Sequence, residues 1–122
     1  MSSTIETAVL SGTFTASANG ADFTNYDAAR GYFFLNITAA SGTTPSLTLK
    51  LQAKCDTTGV YYDVPGAAFA AKTAAGSDML VVKPGVAAVA NQAVSQPVPS
   101  TFRWVATITG TTPSFTFTLH YE

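Results

Sequence analysis

The residue types that most often do chemistry in proteins are scarce in this chain. It contains one cysteine, Cys55, and one histidine, His120. A cysteine nucleophile needs a neighbouring base. The alternation of apolar and polar residues places Cys55 in phase with an apolar run and His120 on the opposite-phase face of another strand. The pattern therefore predicts a small core residue at Cys55, and one cysteine with one histidine cannot complete a zinc site.

The carboxylates do not suggest an acid–base pair either. They are Glu6, Asp22, Asp27, Asp56, Asp63, Asp78 and Glu122. No two of them lie at a spacing that would place an acid and a base on one element, and three occur among turn-forming residues. The sequence also lacks a glycine-rich phosphate loop, a nucleophile elbow and a calcium-binding loop. We therefore predict a protein that is not an enzyme and that uses no metal or cofactor.

Two adjacent tyrosines, Tyr61 and Tyr62, are the side chains best suited to stacking on a sugar or a base. The six lysines and arginines are scattered along the chain and the net charge is −1, so we expect binding to neither nucleic acid nor anionic membrane. A tyrosine in a strand more often serves packing. Because Tyr61 or Tyr62 could stack on a sugar, a carbohydrate-binding module of a receptor-binding structure is the alternative function.

The elements that would position these residues are dominated by a stretch that occurs twice. The copies are Tyr32–Lys54 and Phe102–Glu122, and each contains Ile-Thr, then Gly-Thr-Thr-Pro-Ser, then an alternating apolar and threonine run. A period of two over seven or more residues indicates a strand with one buried face. The glycine and proline of the shared motif predict a turn. Each copy is therefore predicted to be a β-hairpin, with Trp104 and Phe117 on the buried face.

Shorter strands complete the predicted fold. They are expected over Ile5–Leu10, Thr13–Ser17, Val60–Val64 and Asp78–Lys83, with Ala67–Thr73 favoured as a strand over a helix. Asp56–Gly59 is predicted to be a hairpin turn, and Pro65-Gly66 is predicted to end a strand. No βαβ pattern occurs. About eight strands therefore predict one all-β domain over residues 1–122, an antiparallel two-sheet sandwich of jelly-roll or immunoglobulin-like type.

The bulk composition is that of a folded but weakly charged domain. The chain has 122 residues, of which 47% are apolar and only 11% are charged, against a usual quarter. No apolar run is long enough for a transmembrane helix, and the N-terminus lacks the features of a secretory signal, so we expect synthesis in a cytoplasm without export. A weakly charged surface rich in Thr, Ser and Ala is typical of a subunit inside an assembly.

Two segments lack the alternation of core strands. Val86–Pro99 is apolar but has no lasting period, and Met1–Thr7 has few anchors, so it is predicted to be a flexible arm. We predict that both segments are weakly ordered in the free protein and become ordered against a partner. The alternative for Val86–Pro99 is that it packs across one end of the sandwich. The candidate interface residues are Val86, Val89, Val94, Val98, Ile5 and Arg30, although Arg30 could equally snorkel at a strand edge.

A series of short motifs runs in order along nearly the whole chain. They are Asn19-Gly20-Ala21-Asp22, Thr24-Asn25-Tyr26-Asp27-Ala28, Arg30-Gly31, ITAASGTTPSL, Tyr61-Tyr62, Lys83-Pro84-Gly85 and FRWVATITGTTPSFTF. This set resembles a recurrent group of small virion-associated proteins of tailed bacteriophages. Lys83 departs from the group, in which an apolar or aromatic residue often precedes Pro-Gly.

The resemblance implies a structural role in a phage particle. The expected function is that of a capsid decoration (cement) protein on the outer shell, and the alternative within the virion is a tail or head–tail connector component. The implied partners are the major capsid protein and further copies of the same chain, as a trimer or dimer. The implied location is the capsid surface, after synthesis in the host bacterial cytoplasm. No catalytic residue carries over from the group.

Overall fold

The computed structural model describes residues 7–24 and 30–122, which form an all-β fold. The strands are β1 (Thr7–Phe14), β2 (Ala18–Asn19), β3 (Phe23–Thr24), β4 (Gly31–Lys54), β5 (Tyr61–Ala68), β6 (Gly76–Val82), β7 (Ala93–Val94) and β8 (Thr101–Tyr121). They join in one open sheet of order β1-β8-β4-β6-β7, with β2 and β3 beside β8 and β5 beside β4. In these two ranges we find no helix that could cross a membrane.

The two copies of the repeated stretch are the longest strands, β4 and β8, and they pair with each other in antiparallel fashion. Phe33 lies opposite Tyr121 at one end of the ladder, and Ala53 lies opposite Phe102 at the other end. The predicted hairpins are therefore wrong, because neither copy reverses at its Gly-Thr-Thr-Pro-Ser motif. Alternation with period two indicates which residues share a face, but it does not indicate which strand lies alongside.

The two Gly-Thr-Thr-Pro motifs meet in the middle of this ladder. Gly42 and Gly110 have φ of 114° and 121°, and Thr44 and Thr112 have φ of 48° and 45°. A Cβ atom on Gly42 would lie 2.8 Å from the Thr112 carbonyl oxygen, and one on Gly110 would lie 2.8 Å from that of Thr44. The pairing register also shifts at three points around this crossing. The unusual backbone angles therefore bend both strands instead of reversing them.

The crossing divides the sheet into two halves. The N-terminal half of β4 and the C-terminal half of β8 lie between β1 and β6. The C-terminal half of β4 and the N-terminal half of β8 lie between β5 and the short strands β2 and β3. Because β7 runs parallel to β6, the sheet is mixed and not purely antiparallel as predicted.

Side chains from both halves share one apolar core. The ring of Phe33 lies 4.9 Å from that of Trp104 and 5.9 Å from that of Phe102, between ring centroids. Phe69, which follows β5, lies 5.5 Å from Trp104. The predicted burial of Trp104 and Phe117 is confirmed. The indole N–H of Trp104 has no hydrogen-bond acceptor among the described residues.

The turn and strand-ending signals of the sequence agree with the structure only in part. The turn at Asp56–Gly59 is confirmed, with the Gly59 N–H donating to the Cys55 carbonyl at 2.7 Å. β1 runs without a break through Ser11-Gly12, because Gly12 adopts φ of 129° inside the strand. β5 likewise continues through Pro65-Gly66 to Ala68. The total of eight strands in the described residues thus agrees with the prediction, although several individual elements differ.

Cys55 and the segment that follows Gly66 also differ from expectation. Cys55 is half-buried and does not belong to the core. Of the predicted strand Ala67–Thr73, the first two residues belong to β5 and Lys72 forms an isolated bridge with Leu47. Between them the Phe69 N–H donates to the Leu49 carbonyl, and Lys72 exchanges two backbone hydrogen bonds with Leu47, so the segment stays beside β4 with irregular pairing.

We expect alanine at Gly42 or Gly110 to destabilise the protein by about 2–4 kcal/mol, because a Cβ atom would clash with the backbone of the opposing motif at an unfavourable φ. Gly59 is the matched control, since it has φ of 75° but a Cβ atom added there would meet no other atom within 4 Å. Gly59→Ala should cost only about 1 kcal/mol. Urea unfolding measures all three, and equal losses at Gly42 and Gly59 would contradict the crossing geometry.

Truncation of Trp104 tests the shared core. Trp104→Ala should lower the free energy of unfolding by about 3–5 kcal/mol, since it empties the space between the two halves. Trp104→Phe should cost less, because it keeps a ring and removes the unpaired indole N–H. Thr107→Ala, in the same strand but exposed, should cost about 1 kcal/mol or less. A Trp104→Ala protein that melts within a few degrees of the parent would show that the core does not depend on this ring.

Candidate interaction surfaces

The two halves of the sheet present outward faces of different character. We call the outward side of β5 and of the neighbouring halves of β4 and β8, together with Asp22, the charged face. The second face is the outward side of four neighbouring strand segments, and we call it the uncharged face. The segments are β1, the C-terminal half of β8, the N-terminal half of β4 and β6. The first carries lysine, arginine and aspartate side chains, whereas the described outward positions within the strands of the second carry none. Arg30 and Glu122 border the second face at its Tyr32 end, where Glu122 exchanges two backbone hydrogen bonds with Tyr32.

Asp22 is the centre of one cluster on the charged face. Its carboxylate accepts a hydrogen bond of 2.7 Å from the Tyr61 hydroxyl and forms an ion pair of 2.9 Å with the Lys54 ammonium. The Arg103 guanidinium lies 3.5 Å from the centroid of the Tyr61 ring. These contacts attach the loop before β3 to the sheet. They also cover the ring and the hydroxyl of Tyr61, so Tyr61 offers no free platform for a sugar.

A second chain of polar contacts continues across the same face. Arg103 Nε donates to Gln52 Oε1 at 2.9 Å, and Gln52 Nε2 donates to Asp63 Oδ1 at 2.9 Å. Asp63 in turn forms an ion pair with Lys50 at 3.2 Å. Each charge on this face therefore has a partner within the chain. Exposed pairs of this kind contribute little stability individually, but they leave few charges in need of an external partner.

These contacts shift the ionisation of the groups involved. The hydrogen bond from Tyr61, followed by that from Lys54, lowers the pKa of Asp22 below its ordinary value. The same bond raises the pKa of the Tyr61 hydroxyl. Hydrogen bonds from Gln52 and Lys50 lower the pKa of Asp63. Both carboxylates are therefore held in their charged form, which suits structural contacts and not proton transfer near neutral pH.

The uncharged face combines exposed aromatic and sulfur-containing side chains with hydroxyl groups. Tyr32 and Phe34 stack with ring centroids 6.4 Å apart and are each more than one third exposed. Met79 lies directly opposite Phe34 on β6, and His120 lies opposite Phe34 on β8. The surrounding outward positions are Ser11, Thr13, Asn36, Thr38, Ser77, Thr116 and Thr118. Aromatic and methionine enrichment with depletion of charge is typical of the centre of a protein interface.

The segment Val86–Pro99 forms the edge beside β6. Val94 and Val98 are buried in the core, so of the predicted interface residues these two face the interior of the domain. The Val81 N–H donates to the Gln92 carbonyl, and the Lys83 N–H donates to the Val94 carbonyl, both at 3.0 Å. The second half of the segment therefore packs on the domain as an edge strand beside β6, and not across one end of a sandwich. Residues 86–90 remain the outward part.

The outward part of this segment is apolar. Val89 is 47% exposed, Val86 is half-buried, and three alanines lie between and after them. Val89 also borders an open groove of about 700 Å³ that Met79 and the Lys72–Asp78 ion pair line. Of the other predicted interface residues, Arg30 is exposed immediately before β4. Ile5 lies outside the described residues.

The residues considered for catalysis are not brought together. Cys55 follows the C-terminal end of β4, whereas His120 pairs with Phe34 in the other half of the sheet. Hydrogen bonds from the Thr58 hydroxyl and from the N–H groups of Thr58 and Thr57 lower the pKa of the Cys55 thiol. No group of three or more metal-ligating side chains occurs among residues 7–24 and 30–122.

Tyr32, Phe34 and Met79 were not singled out from the sequence as candidate interface residues. A signal for them existed, because Phe34 and Met79 occupy the polar phase of their strands, where threonine or another hydrophilic residue usually stands. Because Phe33, Phe34 and Leu35 are consecutive apolar residues, the sequence alone does not distinguish an exposed Phe34 from a buried one. Only the pairing of β4 with β6 shows that they form a single patch.

Removal of the Tyr61 hydroxyl tests the charged face. In Tyr61→Phe the pKa of Asp22 should rise towards its ordinary value of 3.8, whereas Tyr62→Phe should leave it unchanged. Because the folded-state pKa of Asp22 is depressed, its contribution to stability is present above the unfolded value and is lost as the pH falls through the folded value. Asp22→Asn should therefore lower Tm at about pH 7 and have less effect at about pH 2.

Carboxyl carbon NMR titration measures the first effect and thermal melting measures the second. An equal shift of the Asp22 pKa in both tyrosine variants would show that the hydroxyl of Tyr61 is not the cause.

Comparison of the chain with models of protein families, with curated proteins and with solved structures finds no match in any of the three.

Proposed function

We propose that this chain is a structural protein of a tailed bacteriophage particle, bound to the outside of the capsid as a decoration protein. The observation that carries the proposal is the distribution of exposed apolar groups. Of the six large hydrophobic residues that are exposed in the described part of the chain, Tyr32, Phe34, Met79 and Val89 gather around β6 and the segment beside it. Clustered apolar exposure of this kind marks a surface for protein partners.

The motif resemblance to small virion-associated proteins supports the same conclusion from the sequence. Decoration requires a rigid domain and a contact surface, and it requires no catalytic residues or cofactor. Many weak contacts on a repeating shell give effectively permanent attachment when neighbouring copies also contact one another. The proposed partners are accordingly the major capsid protein and further copies of this chain, at the capsid surface.

We infer that the domain is a two-sheet sandwich, in which each half of the bent sheet forms one layer. The support is the contact between Phe33 in one half and Trp104 and Phe102 in the other. The alternation of buried and exposed residues along both halves of β4 and β8 also favours this arrangement. A sandwich would hold the charged and uncharged faces on opposite outer sides, which suits a subunit with one attached side and one solvated side.

We place the contact with the shell at residues 86–90. These residues are apolar and outward, and the buried anchors Val94 and Val98 hold the segment on the domain. An anchored segment loses less conformational entropy on binding than a free one would lose. Binding is therefore predicted to increase the order of the backbone little at Val94 and more at Val89.

Substitution of two equally exposed valines tests this placement. Val89 is 47% exposed and Val60, in the turn region before β5, is 46% exposed. Val89→Asp should weaken binding to purified heads that lack the protein by about tenfold or more, since a charge would be buried at the contact. Val60→Asp should bind like the parent. The measurement is co-sedimentation over a range of protein concentrations, with melting curves to verify folding.

Absence of the chain from purified virions, by mass spectrometry, would refute the structural role. Failure of the parent to bind heads while it is present in virions would instead indicate a tail or connector location. Equal losses for both aspartate variants would leave the head-binding role intact but would reject residues 86–90 as the contact.

One observation favours a carbohydrate-binding function as the second candidate. Tyr62 is 59% exposed, whereas Tyr61 is covered by Arg103. A sugar could therefore stack only on Tyr62 of this pair. Glycan binding by the isolated protein that is lost in Tyr62→Ala and retained in Tyr61→Phe would favour this function over decoration.

A further inference from the structure

We propose that the uncharged face is a self-association surface, on which a second copy of this chain binds through the same face around a two-fold axis. The inference rests on the proposed self-association of a virion subunit and identifies the surface responsible. It places Phe34 and Met79 of each copy at the centre of the contact.

The absence of charge at the described outward positions of this face restricts what can bind there. A charged partner surface would lose hydration against Phe34 and Met79 at the centre of the face, and it would find opposite charges only at the Tyr32 end, where Arg30 and Glu122 lie. The partner surface must therefore be equally free of charge. A second copy of the same face meets this requirement without any further assumption.

The polar groups on the face are also self-complementary. Seven outward residues are serine, threonine or asparagine, whose hydroxyl and amide groups can both donate and accept hydrogen bonds. They already bond to each other laterally, as in Thr13 to Thr116 at 2.9 Å and Ser77 to Asn36 at 3.0 Å. In a two-fold contact the same residues face each other in reverse order, so each donor can find an acceptor.

The size of the face fits a small dimer. Four neighbouring strands of about seven residues cover roughly 20 by 23 Å. This footprint of about 460 Å² lies below the range of about 600 to 1,000 Å² per partner for stable interfaces, so the contact is that of a weak dimer. The charged face is a poorer candidate, because its lysine, arginine and aspartate side chains would have to be desolvated while paired within the chain.

A single charge at the centre of the face tests the proposal. The parent should sediment as a dimer at about 100 μM, and Phe34→Glu should raise its dissociation constant by at least about tenfold, towards a monomer. Thr107→Glu is the matched control, since it introduces the same charge at an exposed position of the other half, and it should remain dimeric. Sedimentation velocity measures the three, with circular dichroism to verify folding.

A parent that stays monomeric at about 100 μM would overturn the proposal, as would a folded Phe34→Glu protein that remains dimeric. Should Phe34→Glu fail to fold, Met79→Glu gives the same charge on the facing strand and decides the matter. Because the assay contains no heads, its result is independent of attachment to the shell. A dimer broken by Phe34→Glu whose parent does not bind heads would refute only the proposed function.

Discussion

The close contact between the two Gly-Thr-Thr-Pro motifs is the constraint on which the rest of the structure depends. Only glycine allows the backbone at positions 42 and 110 to approach the opposing chain, since a Cβ atom would lie 2.8 Å from a carbonyl oxygen at either position. This contact bends two long strands at the same point without separating them. The ladder between β4 and β8 therefore continues through the bend, and buried and exposed residues alternate in both halves of the sheet.

The bend also determines which surfaces are available for function. It turns the same two strands so that one half carries Lys50, Lys54 and Arg103 outward and the other half carries Tyr32 and Phe34 outward. The first set is neutralised inside the chain by aspartates and by stacking on Tyr61. The second set is uncharged and needs no such neutralisation. This difference in charge between two halves built from similar sequences is the main structural support for the proposed interaction role.

The chemistry of the side chains, like their placement, supports the proposed structural role. Asp22 and Asp63 are held ionised by hydrogen bonds from Tyr61 and Gln52, which stabilises contacts and does not supply a proton near neutral pH. Cys55 and His120 lie in different parts of the sheet. The described residues thus present two surfaces of different polarity: one is uncharged, and on the other the charged groups are already paired within the chain. Aromatic rings pack around Trp104 in the core.

The sequence by itself determined the class of the fold and most of its core. Alternation with period two identified the long strands, and it placed Trp104 and Phe117 correctly on the buried side, because one buried face imposes that period on any strand. The turn at Asp56–Gly59 also followed from local chemistry. The same local rules failed at Gly42, Gly110 and Gly66, since a positive φ serves a bend or a bulge as readily as a reversal.

Strand partners and surfaces were decided only by the tertiary structure. Nothing local distinguishes a hairpin from two copies of a stretch that pair with each other, because the hydrogen bonds of a ladder are the same in both. Burial of Val94 and Val98, and exposure of Phe34 and Met79, depend equally on what lies across the sheet. The sequence states which residues are apolar, whereas long-range pairing decides which of them are covered by the chain itself and which remain for a partner.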